Sequence, residues 1–311
     1  MRENLVLISG YGAPGEEDIA LYSVSASGAG KAFGMTHGRA PSFCCRGENR
    51  LIYAASERED GSDITAYALE NGALRAVRTL ETPGNGLCHV YAHGAVVYGC
   101  CYGSGDYFAV DADLTRVLWQ FRPESAHAHW ANVIDGKLYL MDLGNDCIYR
   151  WALENGLPAG EKEILRQPKG SGPRQILAAR EGARLCVNEL DGTVRVLNRD
   201  GGAVSESHAS AVQEPQNWPG GACLGEDGTL YVCNRGPNTV SAWAQYGEKL
   251  AMLGEWPTGN WPRHLAEVPG TEIVLVACQR ENEARGYAVR SGAAREAFRL
   301  PLAGASCVLP L

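Results

Sequence analysis

The sequence lacks an excess of positive charge and any long apolar run, and each absence excludes a class of protein. Its 311 residues contain 28 Lys and Arg against 36 Asp and Glu, a formal net charge of −8. General nucleic-acid binding depends on clustered Lys and Arg, so we expect no nucleic-acid partner. No window approaches the roughly 18 apolar residues of a membrane span, and the short apolar run within residues 1–10 lacks the features of a signal peptide. We therefore expect a cytoplasmic protein with no membrane partner.

The eleven cysteines show no Cys-x-x-Cys spacing of the kind that binds zinc. Most of them lie inside apolar strand runs, where a cysteine behaves as a small hydrophobe. The adjacent pairs Cys44-Cys45 and Cys100-Cys101 would point to opposite faces of an extended strand, which makes neither pair a natural chelate. The sequence therefore predicts buried thiols in a reducing compartment and no metal site.

No Pro-, Ser- or charge-rich linker interrupts the chain, and no helical apolar period lasts for more than about two turns. All-β chains of this length commonly fold as one unit. We therefore expect residues 1–311 to form a single domain.

A repeated pattern predicts the fold. Each copy has an apolar strand, an Asp-Gly or Glu-Gly turn, a second apolar strand and a polar tip. Successive copies start roughly 42 to 47 residues apart, a period typical of four-stranded propeller blades. A further strand after each polar tip, as in TVRVLNRD, is predicted to end the blade. The six copies start at Pro41, Leu87, His129, Arg174, Gly221 and Arg263.

The two ends of the chain supply a seventh blade. The segment SCVLPL from Ser306 resembles a first strand with no successor, whereas LVLISGYG and DIALYSV, within the first 24 residues, resemble later strands with no first one. Pairing them would close the ring and remove an exposed strand edge. The predicted fold is all-β, a seven-bladed β-propeller closed by strands from both termini.

Blade topology gathers polar residues at one face. In a propeller the first strand of each blade runs from one face of the ring to the other, and the second strand runs back. The start of the first strand and the end of the second strand therefore lie at the same face of the ring. Such residues can tie blades together through backbone hydrogen bonds, and Asp142 is expected to cap its own turn. Clustered arginines instead favour an anionic ligand. The residues concerned are His89, His129, Arg174 and Arg263 at strand starts, and Asp142, Glu189, Arg235 and Gln279 at strand ends.

Tryptophans precede two of the first strands, at Trp218 and at Trp256 and Trp261. They could form a wall around one mouth of the central channel of the propeller, but packing of connecting loops is the favoured interpretation for Trp218 and Trp256. Trp130 and Trp151 are predicted to be core or inter-blade residues.

The motifs HAHWANV, GSGPRQILAAR, DGTLYVCNRGPN and TGNWPRHLAEVPG resemble the seven-bladed propeller lactonase family. That family contains propeller-type 6-phosphogluconolactonases and carboxy-cis,cis-muconate lactonizing enzymes. The resemblance implies catalytic roles for His129, Arg174 and Glu189. It leaves open whether the further active-site arginine is Arg235 or Arg263.

Three departures from the family pattern, at Ala40, Leu87 and Gln175, weaken the assumption that the substrate is 6-phosphogluconolactone itself. The other polar positions of the face, His89 and Gln279, are predicted to bind substrate together with Arg235 and Arg263.

The leading functional hypothesis is metal-independent hydrolysis of a lactone that carries a phosphate or carboxylate, with no cofactor. Glu189 would accept a proton from water, His129 would act as base or acid, and the arginines would hold the anion. The alternatives are a muconate-type lactonizing enzyme and a non-catalytic ligand-binding propeller. A metal-dependent gluconolactonase type would need several carboxylates around a cation, and these positions offer more arginine. We expect a small anionic metabolite as partner and a monomer or weak homodimer.

Overall fold

The computed structural model describes residues 4–25, 28–124, 126–212 and 214–311. Across these residues the backbone is almost entirely β-strand, with two three-residue 3₁₀ helices. Neither of these helices, nor any other described segment, is a helix long and apolar enough to cross a membrane.

The first fourteen strands in chain order are β1 (Asn4–Gly10), β2 (Ile19–Ser25), β3 (Gly28–Met35), β4 (Phe43–Arg46), β5 (Ile52–Ala55), β6 (Ser62–Glu70), β7 (Ala73–Thr82), β8 (Leu87–His93), β9 (Val96–Cys101), β10 (Tyr107–Asp111), β11 (Val117–Phe121), β12 (Ala128–Ile134), β13 (Lys137–Asp142) and β14 (Cys147–Glu154). The remaining strands are β15 (Leu157–Arg166), β16 (Pro173–Ala178), β17 (Arg184–Asn188), β18 (Thr193–Leu197), β19 (Ala203–His208), β20 (Pro219–Leu224), β21 (Leu230–Asn234), β22 (Thr239–Tyr246), β23 (Lys249–Pro257), β24 (Pro262–Glu267), β25 (Ile273–Cys278), β26 (Glu283–Arg290), β27 (Ala293–Pro301) and β28 (Ala305–Pro310). The 3₁₀ helices are η1 (Arg180–Gly182) and η2 (Gln279–Glu281).

The strands form seven four-stranded sheets, the number of blades that the repeat predicts. Six sheets contain four consecutive strands each, from β4–β7 to β24–β27, and the seventh has the order β28-β1-β2-β3. The chain divides into two compact units, residues 1–38 with 177–311, and residues 39–176. The prediction of a single domain stays a prediction.

In the unit of residues 39–176, three sheets pack through two apolar clusters, and strand β9 contributes to both. Its residues Tyr98 and Cys100 pack into the cluster shared with β12–β14, while Val97 and Cys101 pack into the cluster shared with β5 and β6. Successive side chains of a strand point to opposite faces. The strand is therefore apolar at nearly every position because both faces are buried.

In the unit of residues 1–38 and 177–311, three apolar clusters join sheets that follow one another in the chain. They lie between β17–β18 and β20–β22, between β21–β22 and β25–β26, and between β25–β26 and the terminal sheet. The middle strands again supply most of the core.

The terminal sheet confirms the predicted seventh blade. Strand β1 pairs antiparallel with β28 on one side and with β2 on the other, with Ile8 opposite Val308 and Ala20. A third N-terminal strand, β3, lies beyond the first 24 residues, and the sequence pattern does not predict it.

The prediction that the strand after each polar tip ends the blade is wrong. A fourth strand follows it in every repeat, as β15 follows β14. The fourth strands are largely exposed. Their sequences lack a continuous apolar run because much of each strand faces solvent, and a repeat based on apolar runs overlooks them.

The eleven cysteines are thiols, and nine of them are buried, as predicted. Cys100 and Cys101 contribute to different clusters, which confirms that this adjacent pair points to opposite faces. Burial raises the pKa of the Cys101 and Cys186 thiols to about 12 and that of Cys278 to about 11, from an ordinary value of 9.0.

Deleting residues 306–311 should make the protein insoluble or lower its melting temperature strongly. The deletion removes nearly all of β28 and exposes the edge of β1. Soluble yield and thermal unfolding would be compared with a control that lacks Leu311 alone, which loses one hydrogen bond from its amide to the Leu5 carbonyl at 2.9 Å. A truncated protein that melts like the control would contradict the closing role of β28.

The buried thiols should make the protein less stable in alkali. Below pH 9 the thiols are protonated in both the folded and the unfolded chain. Above pH 9 the unfolded chain releases thiol protons that the folded chain keeps. The free energy of unfolding therefore falls as pH rises towards 11. Urea unfolding at several pH values would measure this slope. Cys186→Ala should flatten it, whereas Val187→Ala, an adjacent buried change in β17, should lower stability equally at each pH.

Candidate active site

Several predicted site residues lie where the start of the first strand of a sheet pairs with the end of its second strand. Pro262 pairs with Cys278, which places Arg263 beside Gln279, and the Arg263 Nη1 donates to Gln279 Oε1 at 3.4 Å. Pro219 pairs with Asn234, the residue before Arg235. In the other unit, Ala128 pairs with Asp142 in the same way. The within-blade part of the topological prediction is confirmed.

A β-bulge lies at the start of several first strands and holds predicted site residues. The register shifts between Ala128 and Trp130 in β12 and between Pro262 and His264 in β24, so His129 and Arg263 are the extra residues. Bulges of this kind redirect a side chain and are frequent next to active sites. The two residues thus occupy equivalent positions in their blades.

Arg235 fixes Glu189 in the unit that contains residues 177–311. Arg235 is 6% exposed, and its Nη2 lies 2.8 Å from Glu189 Oε2. Its Nε donates to the Trp218 carbonyl at 2.8 Å, and Nη2 donates to the Pro219 carbonyl at 3.2 Å. Because the guanidinium is also bonded to backbone, it holds the carboxylate in a defined orientation.

An indole ring lies beside this ion pair. The Arg235 Cζ is 5.4 Å from the centroid of the Trp261 ring, and the Arg280 Cζ is 3.6 Å from the same centroid. The Trp218 ring lies 6.1 Å away at an angle of 42°. The prediction of loop packing is wrong for Trp256, which lies in β23 and packs in an apolar cluster between sheets, whereas Trp218 and Trp261 lie in connecting loops with their rings facing each other.

The backbone of Trp261 has an unusual conformation. Its φ is +60°, a region that bulky residues rarely occupy. The Trp261 amide donates to Asn238 Oδ1 at 2.8 Å, and its carbonyl accepts from the Gln279 amide at 3.2 Å. These two bonds hold the strained residue and so orient its indole.

Arg263 contacts a second aromatic ring. Its Cζ lies 5.1 Å from the centroid of Tyr11. Arg235, Arg263 and Arg280 of this unit thus each contact an aromatic ring next to the predicted strand-start and strand-end residues. The sequence analysis does not predict Arg280 as a site residue, although its position directly after Gln279 could have indicated it.

His89 is enclosed in the unit of residues 39–176. It is 1% exposed, its ring stacks on Trp130 at 3.7 Å, and the Ala131 amide donates to its Nδ1 at 3.3 Å. His264 accepts from the Val308 amide in the same manner at 3.3 Å. Both histidines bind the backbone of a neighbouring sheet, which is a packing role. Substrate binding by His89 stays a prediction.

His129 and Arg174 are nearly buried, at 6% and 7% exposed. The His129 ring meets the Tyr102 ring edge-on, with centroids 6.0 Å apart. Arg174 is the second residue of β16. Their catalytic roles stay predictions.

Asp142 caps its own turn, as expected. It is fully buried, and its carboxylate accepts from the Asn145 amide at 3.1 Å and from the Tyr149 hydroxyl at 3.2 Å. Trp151 packs in the apolar cluster of its unit. Among the residues that the structure describes, no group of three or more His, Cys, Asp or Glu is arranged to hold a metal ion.

A polar cavity of about 330 Å³ lies beside the end of β17, although neither Glu189 nor Arg235 lines it. Its lining includes Leu190, next to Glu189, and Asn217, next to Trp218, together with the polar side chains of His208 and Glu214.

A family model described as lactonase, seven-bladed β-propeller, matches residues 5–310. The chain belongs to the seven-bladed β-propeller lactonase family. This confirms both the resemblance and the predicted fold, a seven-bladed propeller built almost entirely of strands.

The lactonase-family chain is similar to several known proteins. It is 28% identical over 175 residues to a 6-phosphogluconolactonase of Formosa agariphila, a match that covers 51% of this chain and 50% of that one. The match thus spans about half the length of this relative. Structures of a Lactobacillus plantarum protein (TM-score 0.91, 20% identity, all of both chains) and of the periplasmic gluconolactonase of Pseudomonas aeruginosa (TM-score 0.89, 20% identity, 100% of this chain and 99% of that one) share the fold.

Replacing Arg235 with alanine should lower the free energy of unfolding by about 2–4 kcal/mol, because a nearly buried carboxylate and two carbonyl groups lose their donor. Urea unfolding would measure the change. The control is Arg290→Ala, since Arg290 forms an exposed pair with Glu272, and it should change stability little. Equal losses in the two variants would contradict the structural importance of the Arg235 contacts.

Proposed function

We propose that this chain hydrolyses a lactone that carries a phosphate or carboxylate group, as a 6-phosphogluconolactonase does. Membership of the lactonase family supports the reaction class. The observation that carries the proposal is the Glu189–Arg235 pair, a carboxylate held at 2.8 Å by a guanidinium, with Arg280 on the Trp261 ring that Arg235 also contacts.

The reaction requires an activated water molecule. Glu189 accepts a proton from water as the oxygen attacks the lactone carbonyl carbon, which forms a tetrahedral oxyanion. The ring C–O bond then breaks, and the departing alkoxide takes up the proton that Glu189 accepted from water, which gives the hydroxy acid and restores the carboxylate. Arg235 keeps the Glu189 carboxylate oriented throughout, because its bonds to the Trp218 and Pro219 carbonyls do not depend on substrate.

The family resemblance gives His129 and Arg174 the roles of acid or base and of anion binding. Arg263 and Gln279, which bond each other, would contact the polar part of the substrate. Arginines stabilise developing negative charge electrostatically, and neither cofactor nor metal enters the scheme.

Metal independence is part of the proposal. The Glu189 carboxylate is already paired with the Arg235 guanidinium, whereas a divalent cation needs several oxygen ligands converging on one point. Dialysis against a chelator should leave the rate unchanged. The cytoplasmic location, the small-molecule partner and the monomeric or weakly dimeric state stay predictions.

The activity test compares lactone opening with and without protein, since sugar lactones also open spontaneously. Glu189→Gln and His129→Ala should each lower kcat roughly a hundredfold or more, the typical contribution of general acid-base catalysis. Arg174→Ala should instead raise KM for anionic lactones. Circular dichroism and melting temperature would verify that each variant is folded.

Two results would lead to other functions. Cyclization of a carboxylated muconate without lactone hydrolysis would identify a lactonizing enzyme. A parent protein that accelerates neither reaction would leave a ligand-binding propeller.

A further inference from the structure

Arg280 differs from Arg235 in having its charge available to a ligand. It follows β25 within η2, and its side chain is exposed. Within the part of the chain that the structure describes, no carboxylate forms an ion pair with Arg280; its side-chain contact is the face of Trp261, at 3.6 Å. By contrast, Arg235 is committed to Glu189 and to two backbone carbonyls.

The stack on Trp261 prepares Arg280 to bind an anion. A guanidinium is weakly hydrated and planar, so it can lie on an aromatic face and still present its N–H groups to a phosphate or carboxylate in bidentate geometry. Stacking also restricts a flexible side chain before ligand binds, which reduces the entropy lost on binding.

The indole that carries Arg280 is itself held by the backbone. Trp261 has a φ of +60°, and strained backbone of this kind persists where the surrounding structure fixes it, often at binding sites. The amide of Trp261 is bound by Asn238, and the Gln279 amide that binds its carbonyl belongs to the residue before Arg280. The position of the guanidinium is thus defined relative to the Glu189–Arg235 pair, because both arginines contact the same ring.

We propose that Arg280, stacked on Trp261, binds the phosphate or carboxylate of the substrate and so selects anionic over neutral lactones. The proposal rests on the proposed lactonase function and adds a specificity residue to it. Arg235 then positions the catalytic carboxylate, and Arg280 recognises the remote charge.

The experiment compares 6-phosphogluconolactone with uncharged glucono-1,5-lactone. Arg280→Ala should raise KM for the phosphorylated lactone roughly tenfold or more, the range expected for a lost charged hydrogen bond, and change kcat/KM for the neutral lactone less than about twofold. Arg280→Lys should lie between parent and Arg280→Ala. The matched control is Arg290→Ala, the same charge change at the far end of β26, which should behave as the parent.

A second arm measures binding of 6-phosphogluconate by calorimetry, without turnover. Parent and Arg290→Ala should bind equally, and Arg280→Ala at least roughly tenfold more weakly. If the parent opens neither lactone but binding depends on Arg280, the lactonase function fails and the anion site stands. Three results would overturn the anion-site proposal. Arg280→Ala could resemble Arg290→Ala in both arms, or it could lose activity equally on both lactones. The third result is a parent protein that neither binds 6-phosphogluconate nor opens a lactone.

Discussion

Each middle strand of these sheets is buried on both faces, and the positions of the polar residues depend on that constraint. Strand β9 sends Tyr98 into one apolar cluster and Val97 into another, so it has no face left for a charged group. Burying an unpaired charge there would cost more free energy than the strand could recover. A charged side chain within such a strand is paired, as Arg195 in β18 is with Asp191 and Glu206, whereas Glu189 and Arg235 lie at strand ends, directly after β17 and β21.

The same constraint explains what the sequence could predict. Strands buried on both faces appear as apolar runs at a fixed period, which revealed the blade number, the terminal sheet and the buried thiols. The fourth strands have an exposed face, as β15 shows, and leave no such signal. The bulge at His129 and at Arg263 is also invisible in sequence, because it is a property of pairing register. Sequence alone thus treats His89 as equivalent to His129, although His89 packs against Trp130.

The arginines near Glu189 illustrate why residue type does not determine role. Arg235 is nearly buried and bonded to the backbone carbonyls of Trp218 and Pro219. A guanidinium with these partners would lose them in order to turn towards a ligand, and leaving the carbonyl groups without a donor would cost free energy. Arg280 can meet a ligand without breaking any bond to a carboxylate. The family motif includes Arg235, and we infer from its contacts that its role is to hold Glu189.

Trp261 connects these two roles. A non-glycine residue held at a φ of +60° costs on the order of 1–3 kcal/mol, and a less strained backbone would be expected unless the conformation served a purpose. The Asn238 side chain and the Gln279 amide offset part of that cost. The hydrogen bonds of the Trp261 amide and carbonyl orient its indole. Arg235 and Arg280 both contact this ring. A ring that contacts both arginines would keep the spacing between the Glu189 carboxylate and the proposed anion site constant, and discrimination between substrates of different charge requires such a constant spacing.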